Sequence, residues 1–130
     1  MQDFKKLMIW QKGHDLTIRI YKVTKDFPKE ELYGITSQLR RACASIPTNI
    51  AEGCGQDSNP QFTRFLLIAM GSASELEYLL LLAHDLLYIN DALYSELSDS
   101  LNVIRRMLNS LIQKTKKPTV DNKKLKTNNQ

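Results

Sequence analysis

Apolar residues recur at three- and four-residue steps through almost the whole chain, the spacing of helices that bury one face. The first segment carries Ile9, Gly13, Leu16, Ile20, Val23 and Phe27, with Lys12, Arg19, Lys22 and Lys25 elsewhere on the wheel. Phe27-Pro28 ends it, because the residue before a proline is pushed out of the helical region. The second segment reads Leu32, Ile35, Leu39, Ala42, Ile46 and Ile50. Its start is open: Pro28 and Glu30-Glu31 suit a first turn, while Gly34 suits a loop with a start nearer Thr36. Gly53 and Gly55 offer its stop. A third helix opens at Ser58-Asn59-Pro60-Gln61, a capping hydroxyl with Gln three residues on and Pro in the first turn. It continues through Phe62, Leu66, Ala69, Ala73, Leu76, Leu80, Ala83 and Leu87. Phe65, Leu79, Leu82 and Leu86 widen that stripe beyond one buried face, so this helix is the most buried or has two partners. Asn90-Asp91 caps a fourth, with Leu93, Leu97, Leu101, Ile104, Leu108 and Leu111.

The spacing predicts helices over about residues 8–26, 33–54, 59–88 and 91–115. Short connections make successive helices antiparallel, so the expected fold is all-α, an up-down-up-down four-helix bundle over residues 1–115. Residues 116–130 read as a disordered, lysine-rich tail. Five Gly and four Pro in 130 residues are too few for a many-stranded fold, and the length suits one domain. No targeting segment is visible, and the apolar run Tyr78–Ala83 stops at His84-Asp85, short of the ~20 residues of a membrane span. A cytoplasmic protein with no membrane association is expected. Cys43 and Cys54, about 16 Å apart along one helix, are too distant to bridge and are expected as reduced thiols.

Charge is divided along the chain. Residues 1–51 carry nine Lys/Arg against five Asp/Glu, residues 52–112 three against eight, and residues 113–130 six against one. The basic start and end flank an acidic middle, an asymmetry that suits complementary contacts between copies or a polyanion held by the tail.

Known chemistries of helical bundles lack their residues here. A di-iron site needs Glu-x-x-His on two helices, but Gly55, Tyr78 and Leu80 follow Glu52, Glu75 and Glu77 at that spacing. His14 and His84 are the only histidines. No Arg lies five to seven residues before either, as helical nucleases of the nucleotide-binding type require. Glu96-x-x-Asp99 has no second acidic pair to face, as a helical pyrophosphatase needs. No enzymatic role, metal or cofactor is expected.

Residues 38–55 break local rules. Pro47 sits inside the helical pattern, removing a backbone donor to the Cys43 carbonyl and costing about 3 kcal/mol or a kink. The second helix is therefore expected to be kinked at Pro47. Glu52 lies in the last turn, where the helix dipole disfavours an anion. Arg41, Ser45, Thr48 and Glu52 form a polar stripe beside the apolar one. A bent helix with its stripe in water would explain this, as would a kink that aims the stripe at a partner surface. In the second case Glu52 would meet Arg64, Arg40 or Arg41, from the same chain or another copy. In the third helix Gly71 and Ser72 lie in a run of small residues, at a cost of about 1 kcal/mol for the mid-helix Gly. Such a patch suits tight packing within the bundle or a second backbone. Candidate oligomer contacts are Arg41, Ser45, Pro47, Asn49, Glu52, Gly71 and Ser72.

Trp10-Gln11-Lys12, His14-Asp15-Leu16, Phe27-Pro28, Gln38-Leu39-Arg40-Arg41-Ala42, Ser45-Ile46-Pro47 and Asn49-Ile50-Ala51-Glu52-Gly53 occur in that order. Phe62, Phe65-Leu66, Ala69 and Gly71-Ser72-Ala73-Ser74-Glu75-Leu76 follow. Over roughly residues 4–112 this pattern resembles the bacterial four-helix-bundle proteins encoded in ribosomal RNA intervening sequences. Cys54-Gly55-Gln56 departs from it, standing where an aromatic, a Gly and an Arg are common, which weakens any basic site there. The resemblance implies a homopentamer. It also implies kinship with the accessory variability protein of diversity-generating retroelements, a basic pentamer that binds nucleic acid and a reverse transcriptase.

Two functions compete at this stage. In the first, a non-catalytic oligomer binds RNA through Lys5, Lys6, Lys12, Arg19, Lys22, Arg40 and Arg41, and through Lys116, Lys117, Lys123, Lys124 and Lys126 of the tail. In the second, the assembly is an adaptor for a partner protein, such as a polymerase, with no nucleic-acid role.

Overall fold

The computed structural model describes residues 2–117. Four α-helices follow one another: α1 (Met8–Thr24), α2 (Ile35–Cys54), α3 (Asn59–Asp85) and α4 (Asp91–Lys116). Single 3-10 turns at Phe4–Lys6 and Lys29–Glu31 precede α1 and α2, and no strand occurs among the described residues. The all-α fold expected from the spacing is the fold observed.

Each helix packs on its neighbours in sequence, and α1 packs on α4, closing the bundle. Cross-helix pairs show that every packed pair is antiparallel. Arg41 reaches Glu75, Ser45 reaches Ser72, and Gly53 meets Phe62, so α2 and α3 run in opposite directions. Glu77 with Arg105 and Thr63 with Thr115 do the same for α3 and α4, as Arg40 with Thr24 does for α1 and α2. Arg19 pairs with Glu96 near one end of α1–α4, while Leu7 and Lys114 share a groove at the other.

The core is the set of stripes read from the sequence. Leu16, Ile20, Leu39, Ile46, Ile50, Leu66, Leu76, Leu80, Leu97, Leu101, Ile104 and Leu108 are buried, with Ala42, Ala69, Ala73 and Ala83 where helices approach closely. Burial of so many aliphatic side chains, about 1.5–3 kcal/mol each, is what holds the bundle. Gly13 fits the same scheme: a Cβ there would lie 3.5 Å from Pro47 Cδ and from Ile46 Cγ2, so α1 crosses α2 at ordinary van der Waals contact. Pro47 lies within α2, which continues through it to Cys54.

Caps set the ends. Ser58 Oγ accepts from the Gln61 amide and Asn90 Oδ1 from Leu93, at 2.8 Å, opening α3 and α4 as the sequence suggests. α2 begins at Ile35 after Gly34, the later of the two starts. α3 ends at Asp85 rather than near residue 88. Leu87 turns into the left-handed region (φ 66°), the Tyr88 amide bonds back to the Ala83 carbonyl, and Leu87 is exposed rather than core. Leu32 is also exposed, because it precedes α2. α4 runs one residue into the segment read as tail, and the rest of that segment, residues 118–130, lies outside the described residues.

Candidate functional site

Antiparallel closure brings the two basic ends of the chain together. The turn Phe4–Lys6 exposes Lys5 and Lys6, and Lys12 follows on the outer face of α1. The last turn of α4 and the residue after it expose Lys114, Lys116 and Lys117 at the same end of the bundle. Leu7, Met8, Met107, Leu111 and Lys114 line a shared groove of about 260 Å³ between these elements. Lys114 is not singled out by the charge pattern along the chain; only the pairing of α1 with α4 shows where it stands. Asp3, Glu52 and Asp57 are exposed at this end too, so the basic surface is local.

The arginines expected to bind nucleic acid are engaged within the protomer. Arg19 pairs with Glu96 of α4 and Arg41 with Glu75 of α3, at 2.9 Å for the second pair. Arg40 Nε donates to Thr24 Oγ1 at 2.9 Å, and its guanidinium lies 4.8 Å from the Tyr21 ring centre. Such partly exposed pairs are worth about 0–1 kcal/mol each, so they can re-pair with phosphate at little cost. Lys22 is exposed on α1. Lys123, Lys124 and Lys126 fall outside the described residues.

The candidate oligomer contacts separate into two groups. Ser72 Oγ donates to Ser45 Oγ at 2.8 Å, and Asn49 Nδ2 donates to Ser45 Oγ and to the Ser45 carbonyl, at 3.0 and 2.8 Å. The Ser72–Ser45 bond ties α3 to α2 inside one protomer, Asn49 braces Ser45 within α2, and Pro47 is buried against Gly13. Arg41, Glu52 and Gly71 remain on the surface. Within the chain Glu52 forms no ion pair among the described residues: Arg41 goes to Glu75, Arg40 to Thr24, and Arg64 lies over the Phe65 ring.

Gly71 has nothing within 4 Å of an added Cβ, which removes tight packing within the bundle as the reason for a glycine there. It lies on the outer face of α3 among Leu67, Ile68, Tyr78 and Leu81, all exposed. By length and hydropathy alone α3 could cross a membrane. In the bundle it packs between α2 and α4, and the surplus apolar residues emerge as this outer stripe. The broad stripe read from the sequence is thus one core face and one open face.

His84 stands at the α3–α4 connection. Its Nε2 is 2.5 Å from Asp91 Oδ1, its Nδ1 3.3 Å from Asp85 Oδ1, and its ring stacks on Tyr94. The hydrogen bond to Asp91 holds the imidazole pKa above its ordinary value, with Asp85 adding to it. His14 stacks on Trp10 instead. Cys43 is a buried free thiol pushed up to about 11 by burial, the nearby Thr17 hydroxyl offsetting part of the rise. Cys54 is also free, buried and raised by burial. Among the described residues no group of three or more His, Cys, Asp or Glu side chains is placed to hold a metal ion.

The fold defines a closed, all-helical four-helix bundle, here with an open apolar face on α3 and lysines exposed at one end. The family model described as 23S rRNA-intervening sequence protein matches residues 5–110, and the chain belongs to that family. A similar solved structure comes from Bacteroides thetaiotaomicron and is described as a protein with unknown function from the S23 ribosomal protein family. It is 28% identical, covers 81% of this chain and 98% of its own, and superposes with a TM-score of 0.73. No curated protein matches the chain. Neither description names an activity.

Proposed function

We propose that this chain is a non-catalytic bundle that assembles with copies of itself and binds RNA through its lysine-rich end. The observation that carries the RNA reading is the exposure of Lys5 and Lys6 at the same end of the bundle as Lys114, Lys116 and Lys117, with Lys12 further along α1 beside Ser100 and Val103. Lysines at that density contact phosphates regardless of sequence, and release of counterions supplies the affinity. The outer stripe of α3 supports self-association: four large apolar side chains around an exposed mid-helix glycine lose little by meeting a second surface. A pentamer, the assembly implied by the family resemblance, would multiply the basic end several-fold and turn modest contacts into strong avidity.

Titration of a labelled structured RNA at roughly 50 and 200 mM salt tests the first half. About four phosphate contacts would cost about a hundredfold in affinity across that range. Affinity indifferent to salt, or no binding at the lower concentration, rejects RNA binding. Native mass spectrometry with and without RNA tests the second half, and a monomer at micromolar concentration rejects self-association.

A second reading, a scaffold for a partner enzyme such as a polymerase, draws on the opposite end. There Tyr33 and Leu87 are 94% and 89% exposed on neighbouring connections joined by the Tyr88–Glu31 hydrogen bond. This reading expects weak RNA affinity and loss of a specific protein partner in a Tyr33→Ser/Leu87→Gly double variant.

A further inference from the structure

We propose that the groove between the end of α1 and the start of α2 binds a small oxyanion, phosphate or carboxylate, carried on an apolar body. The groove holds about 400 Å³, the size of a small-molecule site. Phe27, Pro28 and Leu32 form its apolar wall, and Lys25, Lys29 and Arg40 its polar rim. No carboxylate lines it. Asp26, Glu30 and Glu31 share the connection, but Glu31 is engaged by the Tyr88 hydroxyl.

Thr36 supplies the observation that points to a ligand. It is 3% exposed and lines the groove, and its Oγ1 is the one buried side-chain polar atom without a hydrogen-bond partner among the described residues. A buried hydroxyl left unpaired retains its desolvation cost, which a ligand oxygen in the groove would remove. Threonine in a helix has two accessible χ1 wells, so the hydroxyl can turn to a ligand without backbone motion.

The cations are free to act with it. Lys25, Lys29 and Arg40 take part in no ion pair among the described residues. Arg40 is also held in place: its Nε bond to Thr24 and its position over Tyr21 fix the guanidinium while leaving the Nη groups for an oxyanion. The start of α2 adds to this. Gly34 gives no side-chain cap, and although Glu31 Oε1 stands beside Gly34, its other oxygen is held by Tyr88 and the amides of the first turn, Thr36 among them, have no side-chain acceptor. The apolar wall sets the second requirement, because a bare ion would leave Phe27 and Leu32 uncovered.

The test is a titration of isotope-labelled full-length protein with phenyl phosphate, benzoate and inorganic phosphate, followed by nuclear magnetic resonance. The amides of Ile35, Thr36 and Ser37 and the Arg40 Nε–H are the reporters. Phenyl phosphate or benzoate is expected to shift them with an affinity about tenfold above that of inorganic phosphate, and the stronger of the two identifies the oxyanion. Thr36→Val and Arg40→Gln are each expected to weaken that binding by roughly fivefold. Thr36→Val is also expected to raise the melting temperature of the free protein, so its weaker binding would not come from a damaged fold. Three results would overturn the proposal: shifts confined to lysines elsewhere, a Thr36→Val variant that binds as tightly as the parent, or one that melts lower.

Discussion

The Thr17 hydroxyl on α1 lies 3.4 Å from the carbonyl oxygen of Cys43 on α2, the acceptor that Pro47 leaves without its helical donor. Thr17 Oγ1 also lies 2.7 Å from the Gly13 carbonyl, one turn back on its own helix. A neighbouring helix therefore offers a polar partner at the point where proline opens a gap in the backbone ladder. Thr17→Val is expected to cost about 1 kcal/mol, the worth of leaving a buried acceptor unpaired. In a Pro47→Ala background the residue 47 amide can bond Cys43 again, and the same substitution should cost little. A double-mutant cycle by urea denaturation reads the difference, and additive effects would show that the two residues do not share the carbonyl.

Two glycines of α2 and α3 should respond in opposite directions. An added Cβ at Gly53 would lie 2.7 Å from Phe62 Cδ1 and 3.2 Å from Phe65 Cβ, so Gly53→Ala must push α3 away. A loss of about 1–3 kcal/mol is expected, as for other overpacked sites. Gly71→Ala meets nothing and should stabilise the isolated protomer by about 1 kcal/mol through helix propensity. If α3 meets another copy at Gly71, the bulkier Gly71→Leu lowers the subunit number in native mass spectrometry. Unchanged subunit number and stability in Gly71→Leu would remove this patch from the assembly.

Leu87 pays for its backbone. A residue other than glycine in the left-handed region costs about 1 kcal/mol, and its exposed side chain recovers little by packing. Leu87→Gly is expected to raise stability by about that amount in thermal unfolding. A drop would mean that the leucine packs in solution.

The α3–α4 connection should loosen as pH rises. His84 has a pKa raised in the folded state by Asp91 and Asp85, so the charged clamp contributes fully below the ordinary histidine pKa of about 6.5 and is lost as pH climbs through the raised value. Tyr94 stacks on the same imidazole. Amide exchange at residues 86–90, corrected for its intrinsic pH dependence, is expected to become faster as pH rises above about 6.5. The change should vanish in His84→Gln; if it persists, another group controls the connection.

The core was legible because helical spacing is a direct record of which side faces in, and it failed only where a helix ended. Leu32 and Leu87 continue their stripes in phase, yet each lies beyond a terminus, at Ile35 and Asp85, where the 3.6-residue period no longer applies. Ile112 is buried where Leu111 was expected, since three- and four-residue steps both satisfy the same stripe. The candidate surface was less legible. Arg19 and Arg41 look like free cations along the chain, and only the fold brings Glu96 and Glu75 to them across 77 and 34 residues. Ser45, Asn49 and Ser72 read as candidate oligomer contacts, but Ser45 meets Ser72 across the α2–α3 seam and Asn49 bonds Ser45 within α2.

Because an even number of antiparallel rods carries the chain back to the end it left, α1 starts beside the finish of α4. The order of the helices is then a convention of the gene more than a demand of the packing. A circular permutant that joins the two ends by a flexible linker and opens between α1 and α2 should keep the helical content of the parent. It would also move the chain ends away from the lysine-rich end, so that a tag or label could be carried on the far side.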